Sequence, residues 1–298
     1  MDLMLVALSL GSAFCFALAL VLAVFGLRES AGAVGPMAGA GVSIPVTAAL
    51  FLALSPATVD LSGYDPRGAA VFAAAGLFYP VAVTWLTFAS NRRLGPNLTG
   101  ALGNLAPLFA VAAAAAWLGQ TPSLGQGIGV AAICGGASLL FLRGRGAAAS
   151  VERAASAALL LPLAGAALRG LAQPVASYGL LAWPDPFAAA LIGYLVSAAI
   201  VLAVVRGLPR LRGARASVMP GRAWLWFAAT GISNGAAVLL LYAALARGPV
   251  AVVAPLVACY PVMTLALNRA VHRDRSLDAR TGLGVAAMAA GVAMLLAG

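Results

Sequence analysis

Ten apolar segments of about twenty residues each run through this chain, and they constrain its fold more than any other feature. A helix needs roughly 20 apolar residues to cross the hydrocarbon core of a bilayer. Backbone groups find no water there, so these segments are predicted to be helical, and their lack of alternation excludes barrel strands. The predicted spans are 3–27, 35–54, 67–90, 96–118, 123–142, 154–182, 186–205, 222–246, 249–268 and 277–297.

The scarcity of charge supports the same reading. Only 9% of the 298 residues are charged and 63% are hydrophobic, whereas a soluble domain carries roughly 25% charged residues. A chain with so few charged residues cannot cover a folded surface with groups that bind water, so we expect that surface to face lipid. Because the connections between spans are short, the chain is predicted to be an all-α polytopic membrane protein without a soluble domain.

The arginines predict the orientation. Chains of this kind keep positive charge in short cytoplasmic loops, and only Arg67 and Arg247 lie in even-to-odd connections. Both termini are therefore predicted to be periplasmic, in a bacterial-type inner membrane. Arginines scattered through short loops do not form the basic face that nucleic-acid binding needs. We therefore expect membrane lipid, and no nucleic acid, as a partner of this chain. Fifteen arginines lie in odd-to-even connections: Arg28, Arg92, Arg93, Arg143, Arg145, Arg153, Arg206, Arg210, Arg212, Arg215, Arg222, Arg269, Arg273, Arg275 and Arg280.

Residues for catalysis or metal binding are sparse. The single histidine, His272, falls in a predicted loop, and no span carries a pair of carboxylates. The three cysteines, Cys15, Cys134 and Cys259, are dispersed through apolar runs and have neither disulfide nor zinc spacing. The sequence therefore predicts no enzyme activity, no metal and no cofactor.

The chain contains an internal repeat. Residues 95–132 begin with Gly-Pro, contain Pro107, and end after a short turn in a G-x-G-V-A-A sequence. Residues 248–287 show the same pattern, with Pro261 as the internal proline. The offset between the two segments is 153 to 155 residues. Each half, 1–148 and 149–298, would hold five spans. Because five is odd, the second half must insert upside down, and such inverted repeats are typical of secondary transporters.

On these residues the chain resembles the ten-helix EamA-type members of the drug/metabolite transporter superfamily, and among them the YddG-type exporters of aromatic and other amino acids. The resemblance implies two inverted five-helix repeats around a central cavity. Two features depart from it. The glutamate-containing turn after the fourth helix is replaced by Gly119-Gln120-Thr121, and span 1 lacks the acid that small members use for proton and cation binding.

Arg169 and Gln173 are the sharpest candidates for the transport site. Polar groups are expensive inside a membrane, and Arg169 lies near the centre of span 6, with Gln173 one turn later on the same face. One hypothesis is a guanidinium that holds a substrate carboxylate in a bidentate pair. The other is a structural arginine that caps backbone carbonyls freed by Pro162 or Pro174.

Five further residues complete the candidate substrate site. Tyr79 and Trp85 could present rings to an apolar or aromatic solute, or simply pack against lipid and neighbouring helices. Asn104 and Asn234 could bond the solute or hold helices together. Tyr260 precedes Pro261, where an opened backbone could offer carbonyls to an ammonium group.

The polar groups are segregated among the spans. They lie in spans 3, 4, 6, 8 and 9, Ser12 adds span 1, and spans 2, 7 and 10 have no Asn, Gln or mid-span charge. A cavity lined by the six polar spans is expected, and the resemblance implies the same lining.

The leading hypothesis is a monomeric carrier that exports amino acids by uncoupled alternating access. One alternative is a multidrug exporter, which would need a buried carboxylate to bind lipophilic cations. Another is an intramembrane lipid-modifying enzyme, which would need catalytic groups that converge on one site. A third is a structural or receptor protein.

Overall fold

The computed structural model describes residues 2–30, 36–141, 156–211, 221–272 and 279–297, and within those ranges the regular structure is entirely helical. The expected boundary between the halves, at 148/149, lies outside the described residues. The described ranges contain the helices α1 Leu3–Glu29, α2 Pro36–Thr58, α3 Pro66–Phe78, α4 Val81–Gly103, α5 Ala106–Leu118, α6 Leu124–Phe141, α7 Ser156–Ala182, α8 Pro186–Leu211, α9 Ala223–Leu245, α10 Val250–Val257, α11 Tyr260–His272 and α12 Ala279–Ala297.

The helices have the length and the surface of membrane spans. Nine segments of the described ranges are long and apolar enough to cross a bilayer, and the tenth predicted span corresponds to α6, an apolar helix of 18 residues. Large apolar side chains point outward, among them Leu160 at 65% exposure and Leu181 at 77%. A soluble protein rarely exposes so much apolar surface, so the prediction of an all-α polytopic membrane protein is confirmed.

Helix α4 reverses direction within its length. The hydroxyl groups of Ser90 and Thr99 lie 2.7 Å apart, whereas nine residues of straight helix would separate them by roughly 13.5 Å. The chain must therefore fold back between them, and the connection predicted between spans 3 and 4 lies at this reversal.

The packing of the helices follows the repeat. Helices α6 and α12 pack along each other, and a Cβ at Gly136 would lie 2.6 Å from the Gly284 carbonyl oxygen, while one at Gly129 would lie 2.7 Å from that of Gly291. The repeat offset of 155 maps Gly129 onto Gly284 and Gly136 onto Gly291. The repeat therefore relates the Gly129–Gly291 contact to the Gly136–Gly284 contact by a two-fold axis. Glycine is required at these positions because the backbones of the two helices touch.

A second pair of contacts exchanges in the same way. The ring of Phe72 on α3 fills the space over Gly179 of α7, and the ring of Phe227 on α9 fills the space over Gly26 of α1. These residues match at offsets of 155 and 153. The packing of α1 on α9 therefore corresponds to the packing of α7 on α3 and α4. Helices α2 and α8 also pack against each other, one from each half.

The bundle has two ends, which we name by their connections. The arginine face contains the ends of α1, α6, α8 and α11, together with the reversal in α4. The distal face contains the connections 59–65, 119–123, 183–185 and 246–249. One hydrogen bond joins connection 59–65 to connection 183–185, and another joins connection 119–123 to the first residue of α10.

Candidate functional site

A central cavity of about 290 Å³ lies between the two halves, close to the lower end of the roughly 300–1,000 Å³ typical of small-molecule sites. On α1 its lining runs from Phe16 to Leu27, and on α2 from Gly39 to Ile44. Both stretches belong to the ends of these helices that lead to the arginine face. The cavity therefore extends from the middle of the bundle toward the arginine face.

Two broken helices meet at the floor of the cavity. The span formed by α4 and α5 is interrupted at Asn104 and Leu105, and the span formed by α10 and α11 is interrupted at Ala258 and Cys259. A proline lies just after each break, Pro107 after the first and Pro261 after the second. Proline has no N–H to donate to the carbonyl four residues earlier, which favours a break at this point.

A polar network joins the two breaks to α7. The Tyr260 phenol donates to Oδ1 of Asn104 at 3.0 Å. The Arg169 guanidinium interacts with the same phenol. A cation in the middle of the bundle therefore lies beside a phenol that is bonded to an amide, and all three residues line the cavity.

A third interruption separates α3 from α4. Tyr79 ends α3 in an extended conformation, and its peptide bond to Pro80 is cis. The freed backbone does not stay unpaired, because the Ser197 hydroxyl on α8 donates to the Gly76 carbonyl at 2.6 Å and lies 3.3 Å from that of Tyr79. Such discontinuous helices at mid-membrane commonly mark the substrate site of a transporter.

The walls of the cavity differ in polarity. Helix α7 contributes Arg169 and Gln173, whereas its counterpart α1 contributes only apolar side chains, including Phe16 and Leu20. None of the described residues that line the cavity is acidic. The cavity is therefore amphipathic, with a positive polar wall opposite an apolar one.

Two buried amide atoms on the polar side have no partner among the described residues. Nδ2 of Asn104 is an unpaired donor and Oε1 of Gln173 an unpaired acceptor. Their side chains are 2% and 7% exposed. Both residues line the cavity.

The distal end of the bundle is closed by packed side chains. All eight residues of α10 are buried. Phe51 of α2 meets the rings of Phe187 and Tyr194 edge to face, with centroids 5.3 and 5.5 Å away. Because aromatic rings in this arrangement attract each other beyond their burial, they form a plug below the cavity.

Hydrogen bonds between connections add to the distal closure. Oδ2 of Asp185 accepts the backbone N–H of Asp60 at 2.9 Å, while Oδ1 caps α8 by accepting from Phe187 and Ala188. Across the same face, Oε1 of Gln120 accepts the N–H of Val250 at 2.8 Å. Gln120 lies in the turn where the resemblance leads one to expect a glutamate, and it joins the two halves as a neutral group.

The structure brings six of the seven candidate residues to the cavity and leaves one outside. Trp85 is 60% exposed and is not among the lining residues, so it does not pair with Tyr79 over a solute. Ser12 likewise faces α9, where its hydroxyl donates to the Ala237 carbonyl at 2.7 Å. The six that line the cavity are Tyr79, Asn104, Arg169, Gln173, Asn234 and Tyr260.

The prediction of a six-span lining is too narrow. Span 2 contributes Ser43 and Ile44, and span 7 contributes Tyr194. Tyr242 and Thr230 on α9 also line the cavity and were missed. A search for tyrosine and hydroxyl residues, and not only for amides and charges, would have found four of these five.

Within the described residues, no group of three or more histidine, cysteine, aspartate or glutamate side chains is placed to hold a metal ion.

Comparison with known proteins identifies the family. The model of the EamA-like transporter family matches residues 3–142 and again residues 156–297. The chain belongs to the EamA-like transporter family. A relative from Sinorhizobium sp., called an uncharacterized transporter in the cobO 3' region, is 34% identical over 103 residues, which is 34% of this chain and 72% of the relative. A solved crystal structure with 18% sequence identity covers 95% of both chains at a TM-score of 0.71, which supports the fold.

Family membership makes this EamA-family protein a multi-pass membrane transporter, which indicates a carrier rather than an enzyme and a small solute as its partner. The cavity is the part of the molecule with the size and the polar groups to bind such a solute.

Proposed function

We propose that this transporter exports amino acids with neutral side chains, aromatic ones first, by alternating access and without coupling to an ion gradient. The observation that carries the proposal is the Arg169–Tyr260–Asn104 network at the junction of two broken helices, inside an otherwise largely apolar cavity. The rest of the lining offers complementary groups to each part of an amino acid.

The carboxylate would bind at Arg169. A guanidinium offers two parallel N–H groups to a carboxylate, and bonds of this kind contribute about 1.5–3 kcal/mol. Helices α5 and α11 begin at the same level, with Ala106 and Tyr260 in the lining. The positive ends of their dipoles favour an anion there as well.

The ammonium group would bind at the opposite helix ends. Helices α4 and α10 end at Gly103 and Val257, and both residues line the cavity. Their carbonyls lie four residues before Pro107 and Pro261, so they lack the usual helical donor. The C-terminal ends of broken helices coordinate cations in other carriers, which removes the need for a carboxylate.

The side chain would face the apolar wall. Phe16 and Leu20 on α1, Ile44 on α2 and Phe227 on α9 line this part of the cavity. Aromatic rings pair with aromatic solutes in offset or edge-on arrangements. A neutral, apolar side chain therefore suits this wall better than a charged one.

The direction of loading follows from the arginines. We take the arginine face as cytoplasmic under the positive-inside rule, with both ends of the chain on the periplasmic side of the inner membrane. The cavity would then be open to the cytoplasm and closed by the distal plug, which is the loading state of an exporter. One chain encloses this cavity, so a monomer suffices for transport.

Solute counterflow in proteoliposomes tests the proposal. Vesicles loaded with unlabelled phenylalanine should take up labelled phenylalanine transiently above its equilibrium level, and tryptophan and leucine should compete. Quaternary amines and sugars serve as controls that should not compete. Counterflow of a quaternary amine without counterflow of any amino acid would overturn the proposal in favour of a multidrug exporter.

A further inference from the structure

Gln173 and Asn104 each leave one hydrogen-bonding atom unsatisfied beside the cavity, and the Arg169 network does not use either atom. Oε1 of Gln173 accepts nothing, and Nδ2 of Asn104 donates to nothing, among the described residues. Buried polar atoms in folded proteins nearly always have a partner, because leaving them unpaired costs free energy. A bound solute is the partner that a carrier's cavity supplies.

The two atoms have complementary requirements. The Asn104 amide keeps Oδ1 for the Tyr260 phenol, so its Nδ2 needs an acceptor from outside the network. The Gln173 amide needs a donor. The pair therefore matches a solute that carries both a hydrogen-bond acceptor and a hydrogen-bond donor.

The position of Gln173 specifies where that donor lies on the solute. Residues four apart on a helix have Cβ atoms roughly 5–6 Å apart, and Gln173 follows Arg169 by four residues on α7. Both side chains line the cavity from one face of α7, so a carboxylate held by Arg169 would place its neighbouring carbon on the side of Gln173. Asn104 joins the Arg169 carboxylate site through Tyr260.

We infer that Gln173 and Asn104 form a specificity subsite that recognises a hydrogen-bond donor on the carbon next to the substrate carboxylate. This rests on the proposed function, in which Arg169 holds that carboxylate. The acceptor is a neutral amide, so it bonds a hydroxyl as well as an ammonium group. The substrate class then widens from 2-amino acids to 2-hydroxy acids, and the same acids without the substituent should bind more weakly.

Three solutes with one carbon skeleton separate these possibilities. Phenylalanine has an ammonium group next to the carboxylate, 3-phenyllactate has a hydroxyl, and 3-phenylpropionate has neither. Each is measured as a competitor of labelled phenylalanine counterflow in proteoliposomes. Phenyllactate should inhibit within a few-fold of phenylalanine, and phenylpropionate should be weaker by about tenfold, the value of one lost buried hydrogen bond.

Substitutions assign the preference to Gln173. Gln173→Leu removes the amide at similar volume, and it should bring the inhibition constants of phenyllactate and phenylpropionate to within about threefold of each other, while phenylalanine keeps its ammonium contacts to the Gly103 and Val257 carbonyls. Gln173→Glu adds a carboxylate and should favour phenylalanine over phenyllactate by about tenfold, since only the ammonium gains an ion pair. Gln126→Leu is the matched control, because Gln126 lies on α6 outside the cavity, and it should preserve the wild-type ratios.

Asn104→Asp tests the other half of the subsite. Aspartate keeps an acceptor for Tyr260 but loses the Nδ2 donor and adds negative charge, so all three carboxylates should bind about tenfold or more weakly while their ratios persist. Wild-type phenylalanine counterflow with equal inhibition by all three solutes would overturn the subsite and leave the proposed function standing. Ratios unchanged by Gln173→Leu would overturn it as well. Absence of amino acid counterflow would overturn both proposals.

Discussion

Replacement of Arg169 is the perturbation whose effect can be worked out most fully from the structure. Arg169→Ala removes the only cation among the described residues that line the cavity. A charge-assisted hydrogen bond contributes about 1.5–3 kcal/mol, which corresponds to roughly ten- to a hundredfold in affinity. Arg169→Lys should restore part of this, because an ammonium keeps the charge but not the planar pair of donors.

Folding should survive the change. The Tyr260 phenol keeps its own bond to Oδ1 of Asn104 when Arg169 is removed, so no buried hydroxyl loses its acceptor. Arg169 itself is only half-buried, and the space it leaves joins an existing cavity. The expected loss is therefore in solute affinity, with thermal unfolding in detergent little changed.

The assay is the concentration dependence of phenylalanine counterflow for wild type, Arg169→Ala and Arg169→Lys. Arg67→Ala is the control, because Arg67 is exposed on the distal face at the start of α3, and its half-saturation constant should equal the wild-type value. If Arg169→Ala transports phenylalanine with wild-type affinity, Arg169 is a structural residue and the carboxylate binds elsewhere.

Three further predictions follow from the fold. A cysteine placed next to Arg212 should react with an impermeant reagent only from the cytoplasmic side, and labelling in intact cells would reverse the topology. Gly136→Ala should lower the stability in thermal unfolding by about 1–3 kcal/mol through overpacking against α12, whereas Gly135→Ala, which projects into open space, should change it by less than about 0.5 kcal/mol. Asp185→Asn keeps the cap on α8 but cannot accept the Asp60 N–H, so the distal connections should open more often. A cysteine introduced at Ala172 should therefore be labelled faster from the distal side in Asp185→Asn than in the protein with Asp185. Equal labelling rates would show that the plug alone holds the distal face closed.

The helices could be predicted because the bilayer leaves the backbone few options. Each apolar run must satisfy its own N–H and C=O groups, so length and hydropathy were enough to predict the spans. The repeat offset of 155 likewise anticipated which glycines would occupy equivalent positions, and Gly129 and Gly136 of α6 meet Gly291 and Gly284 of α12 in an exchanging pair. Nothing in the spacing, however, indicated that α6 would be the helix to face α12.

Most of the candidate residues that line the cavity could be chosen from the sequence, but their contacts could not. Polar groups such as Arg169 and Gln173 are costly in lipid, which singled them out from the sequence. Their partners depend on how distant spans pack, since Asn104 and Tyr260 are 156 residues apart. The breaks that bring these two residues together depend on prolines whose effect varies with the surroundings, because Pro45 and Pro174 lie inside continuous helices.

Trp85 shows why an aromatic residue near a candidate site need not belong to it. Residues share a helix face at separations of three, four or seven, and six residues do not fulfil this. The break at Tyr79 and Pro80 also separates Tyr79 from the helix that carries Trp85. Tyr194 was missed for a different reason, because span 7 was judged by its lack of amides and charges, although a tyrosine also has an apolar ring and a polar tip.

We propose that the solute's own gradient drives transport through a cavity whose described lining residues include no acid. Proton-driven carriers commonly use a buried carboxylate or histidine, and no described residue lining the cavity is either. The direct measurement is uptake of labelled phenylalanine into proteoliposomes with and without an imposed pH gradient. We predict uptake that follows the phenylalanine gradient and reaches the same level in both. Accumulation above equilibrium that is driven by the pH gradient alone, and abolished by a protonophore, would contradict it.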